Sequence, residues 1–435
     1  GYYGLKGRGY AHHRGLVEKS QWWPAERLRE FQWQELQPLL DIAFGHVPFL
    51  KRKYKAAGLL RGDVRSLEDF SKLPPLTREE IRNHREELKS EAWRERFIPY
   101  ATGGSSGQPT RFYITFPSYD WRSAVSTRAY SWSGHRLGEP TLFLWGGPVG
   151  ETPRWQQWKL QLLRTVRNEV VLSTFSQSET LWGQVLETAL RLQPKVIVGY
   201  VSSLLEFSRY LLARGRSLPG IRAALAAAEP LHQSTREVVE KALGAPLFNT
   251  YGSREFMSIA AECEHRLGLH INMENLLVET ERPPSEGPSG ILITDLHNHG
   301  MPFLRYEIGD VGVLSGRACP CGRGLGLIES IEGRVLEMLR TASGRTVPGE
   351  FFPHLMKDIP EVQEFQAEQK RLDQVMLSVV LAKPLSDTSR RLIDSEVRKV
   401  FGDSSLVEIV PVGSIPRTAS GKRRVSVGLP AESGR

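Results

Sequence analysis

Four short segments hold residue types suited to binding and polarising a nucleotide. Thr102, Gly103, Gly104, Ser105, Ser106 and Gly107, followed by Gln108-Pro109-Thr110, form a run of glycines and small hydroxyls. Such a run exposes backbone N–H groups and adds hydroxyl donors, the groups that wrap a triphosphate. It lacks the Gly-Lys-Ser/Thr ending of a Walker loop, and alone it also fits a flexible turn. Asn249-Thr250-Tyr251-Gly252-Ser253-Arg254-Glu255 follows an apolar run through Leu247 and Phe248. An aromatic face beside a glycine can stack a purine, and the carboxylate of Glu255 can hold Mg²⁺. Arg305-Tyr306-Glu307-Ile308-Gly309-Asp310 puts an aspartate at a turn, suited to a bidentate grip on vicinal ribose hydroxyls, although Gly-Asp is also an ordinary turn pair. Pro416-Arg417-Thr418-Ala419-Ser420-Gly421-Lys422 sets a lysine on a glycine-containing loop, where a solvated surface lysine is the alternative.

The chain has three cysteines, Cys263, Cys319 and Cys321. That number excludes a disulfide scaffold. With His270 they make a Cys₃His set, the soft tetrahedral ligation that Zn²⁺ favours at closed structural sites, and Pro320 would stiffen the Cys-x-Cys turn. His265, His297 and His299 are rivals for the histidine place, and three reduced, buried thiols are the other reading.

Taken together and in order, these segments resemble the adenylate-forming superfamily of acyl-CoA ligases, luciferases and peptide-synthetase adenylation domains. Within it the likeness is to the phenylacetate–CoA ligase group, with its coenzyme F390 synthetase and capsule-cluster members. The glycine run matches Thr-Ser-Gly-Ser-Thr-Gly-x-Pro-Lys, with Thr110 where many members have Lys. Residues 251–255 match Tyr-Gly-x-Thr-Glu, with Arg254 replacing the Thr, and Gly309-Asp310, Gly333-Arg334 and Pro416 to Lys422 complete the set. Val47-Pro48-Phe49, Ser66-Leu67-Glu68-Asp69-Phe70 and Ala228-Glu229-Pro230 extend the likeness, which runs from about residue 30 to 427.

The resemblance implies roles. Thr102 to Gly107 hold the β- and γ-phosphates, and Glu255 holds Mg²⁺. Tyr251, Gly252, Asn249 and the Glu229-Pro230 backbone seat adenine, while Asp310 and Arg334 engage ribose. Lys422 bridges the attacking carboxylate and the α-phosphate. Arg254 lies where relatives place a Thr near the acyl carboxylate, and Glu337 stands at the hinge where relatives often carry Asp. ATP and AMP, Mg²⁺, CoA as acceptor and a structural Zn²⁺ are the implied ligands. Tyr130, Trp145, Gly199 and Tyr200 are candidates for the acid pocket, and their aromatic character suggests an aryl acid; core packing explains them equally well.

The elements that must position these groups are legible in outline. Residues 1–95 read mainly helical, with Leu28, Phe31, Leu36, Leu39, Leu40 and Ala43 as an imperfect apolar stripe opened by Pro24. After Leu73-Pro74-Pro75-Leu76, Thr77 and Glu80 form a capping-box pattern. Buried strands are predicted at 142–145, 170–172, 195–198 and 291–293, with helices at 202–213 and 234–243, an alternation that argues for α/β layers with largely parallel sheets. Near residue 335 the character changes to an alternating strand (Val375, Leu377, Val379, Leu381), a helix over 387–401 and a strand over 406–410. The expected architecture is a large multi-layer N-terminal α/β domain, 1–333, plus a small mobile α+β C-terminal domain, 334–435, carrying the catalytic lysine.

The bulk numbers exclude some classes. With 40% hydrophobic and 24% charged residues the chain is globular in composition, and no run nears the ~20 apolar residues of a membrane span. No secretory signal is evident at the N-terminus, so a cytoplasmic location is the default expectation. The net charge of +8 could favour anionic partners such as nucleotides, coenzyme A, nucleic acid or an acidic membrane face. Lys and Arg are scattered rather than packed in one run, which favours the plainer reading that they solvate helices, and no nucleic-acid partner is expected. The expected partners are a small carboxylic acid and an acyl acceptor, with a homodimer left open. The expected activity is ATP-dependent formation of acyl-AMP and transfer to CoA. Amide formation with an amine is the alternative, and a catalytically inactive nucleotide- or metabolite-binding module is a third.

Overall fold

The computed structural model describes the chain apart from residues 1–7, 103–109, 147–153, 176–177, 284–286, 333–338, 416–424, 430–435 and several positions between 342 and 358. It divides into two compact units. The first comprises residues 1–100, 111–137 and 248–333, and the second 101–110, 138–247 and 334–435.

In the first unit the helix Ala25–His46 begins at Pro24, which takes the N-cap position. It buries Leu28, Leu36, Leu39, Leu40 and Ala43, whereas Phe31 is only half-buried. The gap in the stripe is filled by Gln32, whose amide donates to the backbone carbonyls of Met273 (3.1 Å) and Leu276 (2.8 Å). A buried amide is tolerated there because its donors are satisfied. Behind these helices lies an antiparallel sheet, ordered Leu276–Thr280, Ser289–Asp295, Tyr306–Ser315, Leu327–Glu332, Leu269–Ile271, Met257–Glu262 and Leu247–Ser253. The expectation of largely parallel sheets therefore fails here. Short connections can join only antiparallel neighbours, while parallel strands need a crossover. The helix Phe116–Ser131 is anchored by ion pairs of the buried Arg122 with Asp295 (2.5 Å) and of the buried Arg128 with Glu274.

The second unit is where the alternation of strand and helix signalled a parallel sheet correctly. Thr141–Trp145, Glu169–Ser173, Val196–Tyr200 and Ala223–Ala227 are mutually parallel, linked by the helices Arg154–Arg167, Glu179–Leu192 and Val201–Ala213. The expected helix over 234–243 is observed as Gln233–Leu243. In the C-terminal part, Val362–Arg371 and Gln374–Leu381 form an antiparallel hairpin. Leu406–Pro411 runs parallel to the second strand, and Ser426–Val427 runs parallel to the first. The helix Asp387–Phe401 starts at Ser386, whose side chain accepts from the Ser389 N–H, and turns Ile393, Val397, Val400 and Phe401 inward. Among the described residues no helix is long and apolar enough to cross a membrane.

Ile393 is fully buried and Leu406 is 56% exposed. Ile393→Ala should cost about 2–5 kcal/mol through the cavity it leaves, whereas Leu406→Ala should change stability by less than about 0.5 kcal/mol. Urea unfolding of the two variants checks the contrast.

Candidate functional site

The site builds from a junction between the Pro74-Pro75 segment and the strand Tyr306–Ser315. The Leu76 N–H donates to the Arg305 carbonyl (3.2 Å), and the Glu307 N–H donates to the Leu76 carbonyl (3.0 Å). One residue later the expected capping box is present. Thr77 Oγ1 accepts from the Glu80 N–H (3.1 Å), and Glu80 Oε2 accepts from the Thr77 N–H (2.8 Å). These bonds fix where the short helix Arg78–Asn83 starts, and with it the root of Arg78.

Arg78 Nε donates to the Tyr306 hydroxyl (3.1 Å) and Nη2 to the Ile308 carbonyl (3.1 Å), with Nη2 3.5 Å from Glu255 Oε1. The Tyr306 hydroxyl donates to the same Oε1 (3.1 Å). Glu255 is 3% exposed and Tyr306 fully buried. Burial works against the guanidinium charge, but Tyr306, Glu255 and Asp310 outweigh it and hold Arg78 above the usual arginine range. Neither Arg78 nor Tyr306 stood out as functional in the sequence. Arg78 looked like the first residue of a capped helix, and Tyr306 lay unassigned inside the Gly-Asp motif.

Tyr251 and Asp310 do come together, the Tyr251 hydroxyl donating to Asp310 Oδ2 (2.9 Å). The Asn249 N–H donates to Glu262 Oε2 (2.7 Å). Gly252 has a packing reason of its own. It sits at a register shift in the hairpin formed with Met257–Glu262, and a Cβ there would stand 2.1 Å from the Met257 carbonyl oxygen. Arg254 is exposed, its guanidinium carbon 6.0 Å from the centre of the Tyr100 ring.

The other predicted residues divide between the units. In the second unit the Thr102 N–H donates to the Thr110 carbonyl (2.9 Å) and the Thr110 N–H to Thr102 Oγ1 (3.0 Å), closing the base of the glycine run. Glu229 follows Ala228, whose φ of +69° is uncommon for a side chain with a Cβ. Its carboxylate accepts from the Ser202 N–H (2.6 Å) and hydroxyl (2.9 Å), capping a helix whose own N-cap, Tyr200, offers no side-chain bond. Burial raises its pKa. That leaves the Glu229-Pro230 backbone for a ligand. Trp145 and Tyr200 have ring centres 4.6 Å apart, and Gly199 packs against Leu144 and Leu204 with contacts of 3.1 Å for any added Cβ. Tyr130 belongs to the first unit, half-buried, with its ring 6.1 Å from His135. Gly103, Gly104, Ser105, Ser106, Gly107, Arg334, Glu337 and Lys422 lie outside the described residues.

The cysteine cluster is assembled as its composition suggested. Ligand atoms of Cys263, His270, Cys319 and Cys321 lie within 4.8 Å of one another, whereas the rivals His265, His297 and His299 are not part of the group. Cys263 and Cys319 Sγ stand 3.7 Å apart, and Cys321 Sγ is 3.3 Å from His270 Nε2. Two thiolates on one tetrahedral zinc stand about 3.7 Å apart, against ~2.05 Å in a disulfide, so the spacing fits a shared ion. His270 Nδ1 faces the Leu325 carbonyl (3.4 Å), which leaves Nε2 as the coordinating atom. Burial lowers His270 to about 4 and pushes Cys263 up to about 12, so the imidazole is neutral and the bare thiol protonated until a cation is present. Arg323, unmentioned at the sequence level, donates its backbone N–H to Cys321 Sγ (3.5 Å) and its side chain to Gln21 and Glu264. The donor set thus fits Zn²⁺. For Mg²⁺ the fit is one buried carboxylate, Glu255, which suffices where phosphates supply further oxygens.

Residues 339–427 match the CapK C-terminal domain. The chain is 27% identical to phenylacetate-coenzyme A ligase of Thermus thermophilus, across 92% of this chain and 96% of that one. It is 25% identical to the Escherichia coli K12 phenylacetate-coenzyme A ligase (92% and 94%) and 22% identical to protein CapK of Staphylococcus aureus (85% and 82%). In three dimensions it is similar to 2-hydroxyisobutyryl-CoA ligase solved with 2-HIB-AMP and CoA, with a TM-score of 0.61, 20% identity and coverage of 93% and 90%. The fold is that of the adenylate-forming enzymes. In sequence the chain is thus similar, over most of its length, to phenylacetate-coenzyme A ligases and to protein CapK.

Gly252→Ala should lower stability by about 1–3 kcal/mol, because its Cβ cannot fit beside the Met257 carbonyl. Gly62→Ala, with open space around the new Cβ, should change it by less than about 0.5 kcal/mol. Thermal unfolding of both proteins distinguishes a packing glycine from a free one.

Proposed function

We propose that the protein activates a carboxylic acid with ATP, releasing pyrophosphate, and transfers the acyl group from acyl-AMP to CoA. The observation that carries this is the gathering of Tyr251, Glu255 and Asp310 in one unit, with Tyr251 bonded to Asp310. Relatives named phenylacetate-coenzyme A ligase, aligned over nearly the whole chain, support the acid–thiol chemistry. An aromatic acid is the substrate class we favour, on the names of those relatives and on the Trp145–Tyr200 pair.

In this reading Asp310, oriented by the Tyr251 hydroxyl, accepts hydrogen bonds from the ribose. The glycine run donates backbone N–H groups to the terminal phosphates. Mg²⁺, held by Glu255, offsets triphosphate charge when bound. A substrate carboxylate oxygen attacks the α-phosphorus, the bond to pyrophosphate breaks, and Lys422 balances the charge that builds up between them. The CoA thiolate then attacks the acyl carbonyl and AMP leaves. We assign residues 334–435 as a domain that turns about Glu337, bringing Lys422 in for the first step only. The Cys₃His cluster holds a structural Zn²⁺.

Two measurements test this reading. In a panel of aryl and aliphatic acids, pyrophosphate release with hydroxylamine trapping should identify at least one substrate, and Lys422→Ala should cut that rate by ~10²-fold or more. The same variant should consume supplied acyl-AMP and CoA at a near-normal rate; equal loss in both half-reactions would overturn the lysine's role. Elemental analysis of protein purified without added metal should find about one zinc per chain, and chelation should lower the melting temperature. A zinc-free preparation with unchanged stability would refute the structural metal.

A further inference from the structure

Glu255 is held by two groups that no assigned role accounts for. Its Oε1 receives the Tyr306 hydroxyl at 3.1 Å and lies 3.5 Å from Arg78 Nη2, and Arg78 Nε in turn donates to that same hydroxyl. Both contacts converge on one carboxylate oxygen. Arg78 is itself fixed at three points: its helix start by the Thr77–Glu80 capping box, its chain by the Leu76–Tyr306 bridge, and its fork by the Ile308 carbonyl.

We propose that Arg78 is a positioning residue for Glu255: with Tyr306 it pins Oε1 and so presets Oε2 for the Mg²⁺ that arrives with ATP. The inference rests on the reading of Glu255 as the Mg²⁺ ligand. A free glutamate side chain loses rotamer freedom when immobilised, and a preset carboxylate has already lost it before the ligand binds. Arg suits the task better than Lys because its planar fork reaches the hydroxyl, the carbonyl and the carboxylate at once.

A purely electrostatic role would act in the opposite direction on the metal. Removing a neighbouring cation takes away a charge that repels Mg²⁺, which by itself makes the site around Glu255 attract the metal more strongly. Loss of positioning weakens the metal's hold instead. The sign of the effect therefore separates the two roles.

The test is calorimetric binding of ATP, once with Mg²⁺ and once in buffer without added divalent cation, with the ratio of the two affinities taken as the Mg²⁺-dependent gain. Arg78→Gln should shrink that gain by about five- to tenfold, with Arg78→Lys intermediate, in proteins whose circular dichroism and melting remain near normal. In a Glu255→Gln background, which removes most of the gain by itself, Arg78→Gln should change it no further. Should Arg78→Gln destabilise the fold, Arg78→Lys carries the comparison, and a gain equal to the unmodified protein's overturns the proposal. An unchanged or larger gain in Arg78→Gln, while Glu255→Gln loses it, overturns the positioning role alone. A gain that survives Glu255→Gln refutes the Mg²⁺ assignment of Glu255 and the proposal with it.

Discussion

A carboxylate as deeply buried as Glu255 can persist in the protein interior only beside compensating charge and hydrogen bonds. Tyr306 and Arg78 supply both, and they come from segments more than two hundred residues apart in the chain. The junction at residues 74–80 brings them together. The Pro74-Pro75 break ends one helical run, Leu76 pairs with Tyr306, and the capping box restarts the chain as a helix whose first residue, Arg78, reaches Glu255. Breaking a buried pair costs more than forming it gains, so the arrangement is strongly enforced once the sheet exists.

The residues after the Cys-x-Cys turn do for the N-terminal segment what that junction does for the site. Arg323, adjacent to the Cys-x-Cys turn, binds Gln21, and Gln21 also accepts from the Trp132 indole (2.9 Å). Gly324 lets the two backbones touch: its N–H donates to the Gln21 carbonyl, and a Cβ would fall 1.9 Å from the Trp23 carbonyl oxygen. Arg323 and Gly324, next to the Cys-x-Cys turn, thus tie the entrance of the long helix Ala25–His46 to the antiparallel sheet.

Conserving the adenylate-forming fold leaves the substrate to local detail, because one fold hosts many reactions. Two residues of this chain show how local detail divides its labour. Glu229 caps the helix Val201–Ala213 with its side chain, which frees only its backbone for a ligand. Gly252 is required by its hairpin, where a Cβ would meet the Met257 carbonyl, before any ligand is considered. A motif residue can therefore satisfy a ligand and a packing constraint at once.

By itself the sequence determined what local chemistry decides. The helix Asp387–Phe401, the Thr77–Glu80 box, the parallel strands of the second unit and the grouping of the three cysteines were all legible, because periodicity, capping and residue type act over a few residues or through composition. The order of motifs likewise made the likeness to phenylacetate-coenzyme A ligases and CapK legible. Only the tertiary structure decided that the sheet holding Ile291–Ile293 is antiparallel, that His270 and not His265, His297 or His299 joins the cysteines, and that Gln32 belongs in an apolar stripe. The same holds for Arg78 and Tyr306, whose meaning depends on a carboxylate remote in sequence. Contacts of that kind are set by how sheets and helices pack, and no local pattern of residues encodes which distant group will fill the remaining hydrogen bond.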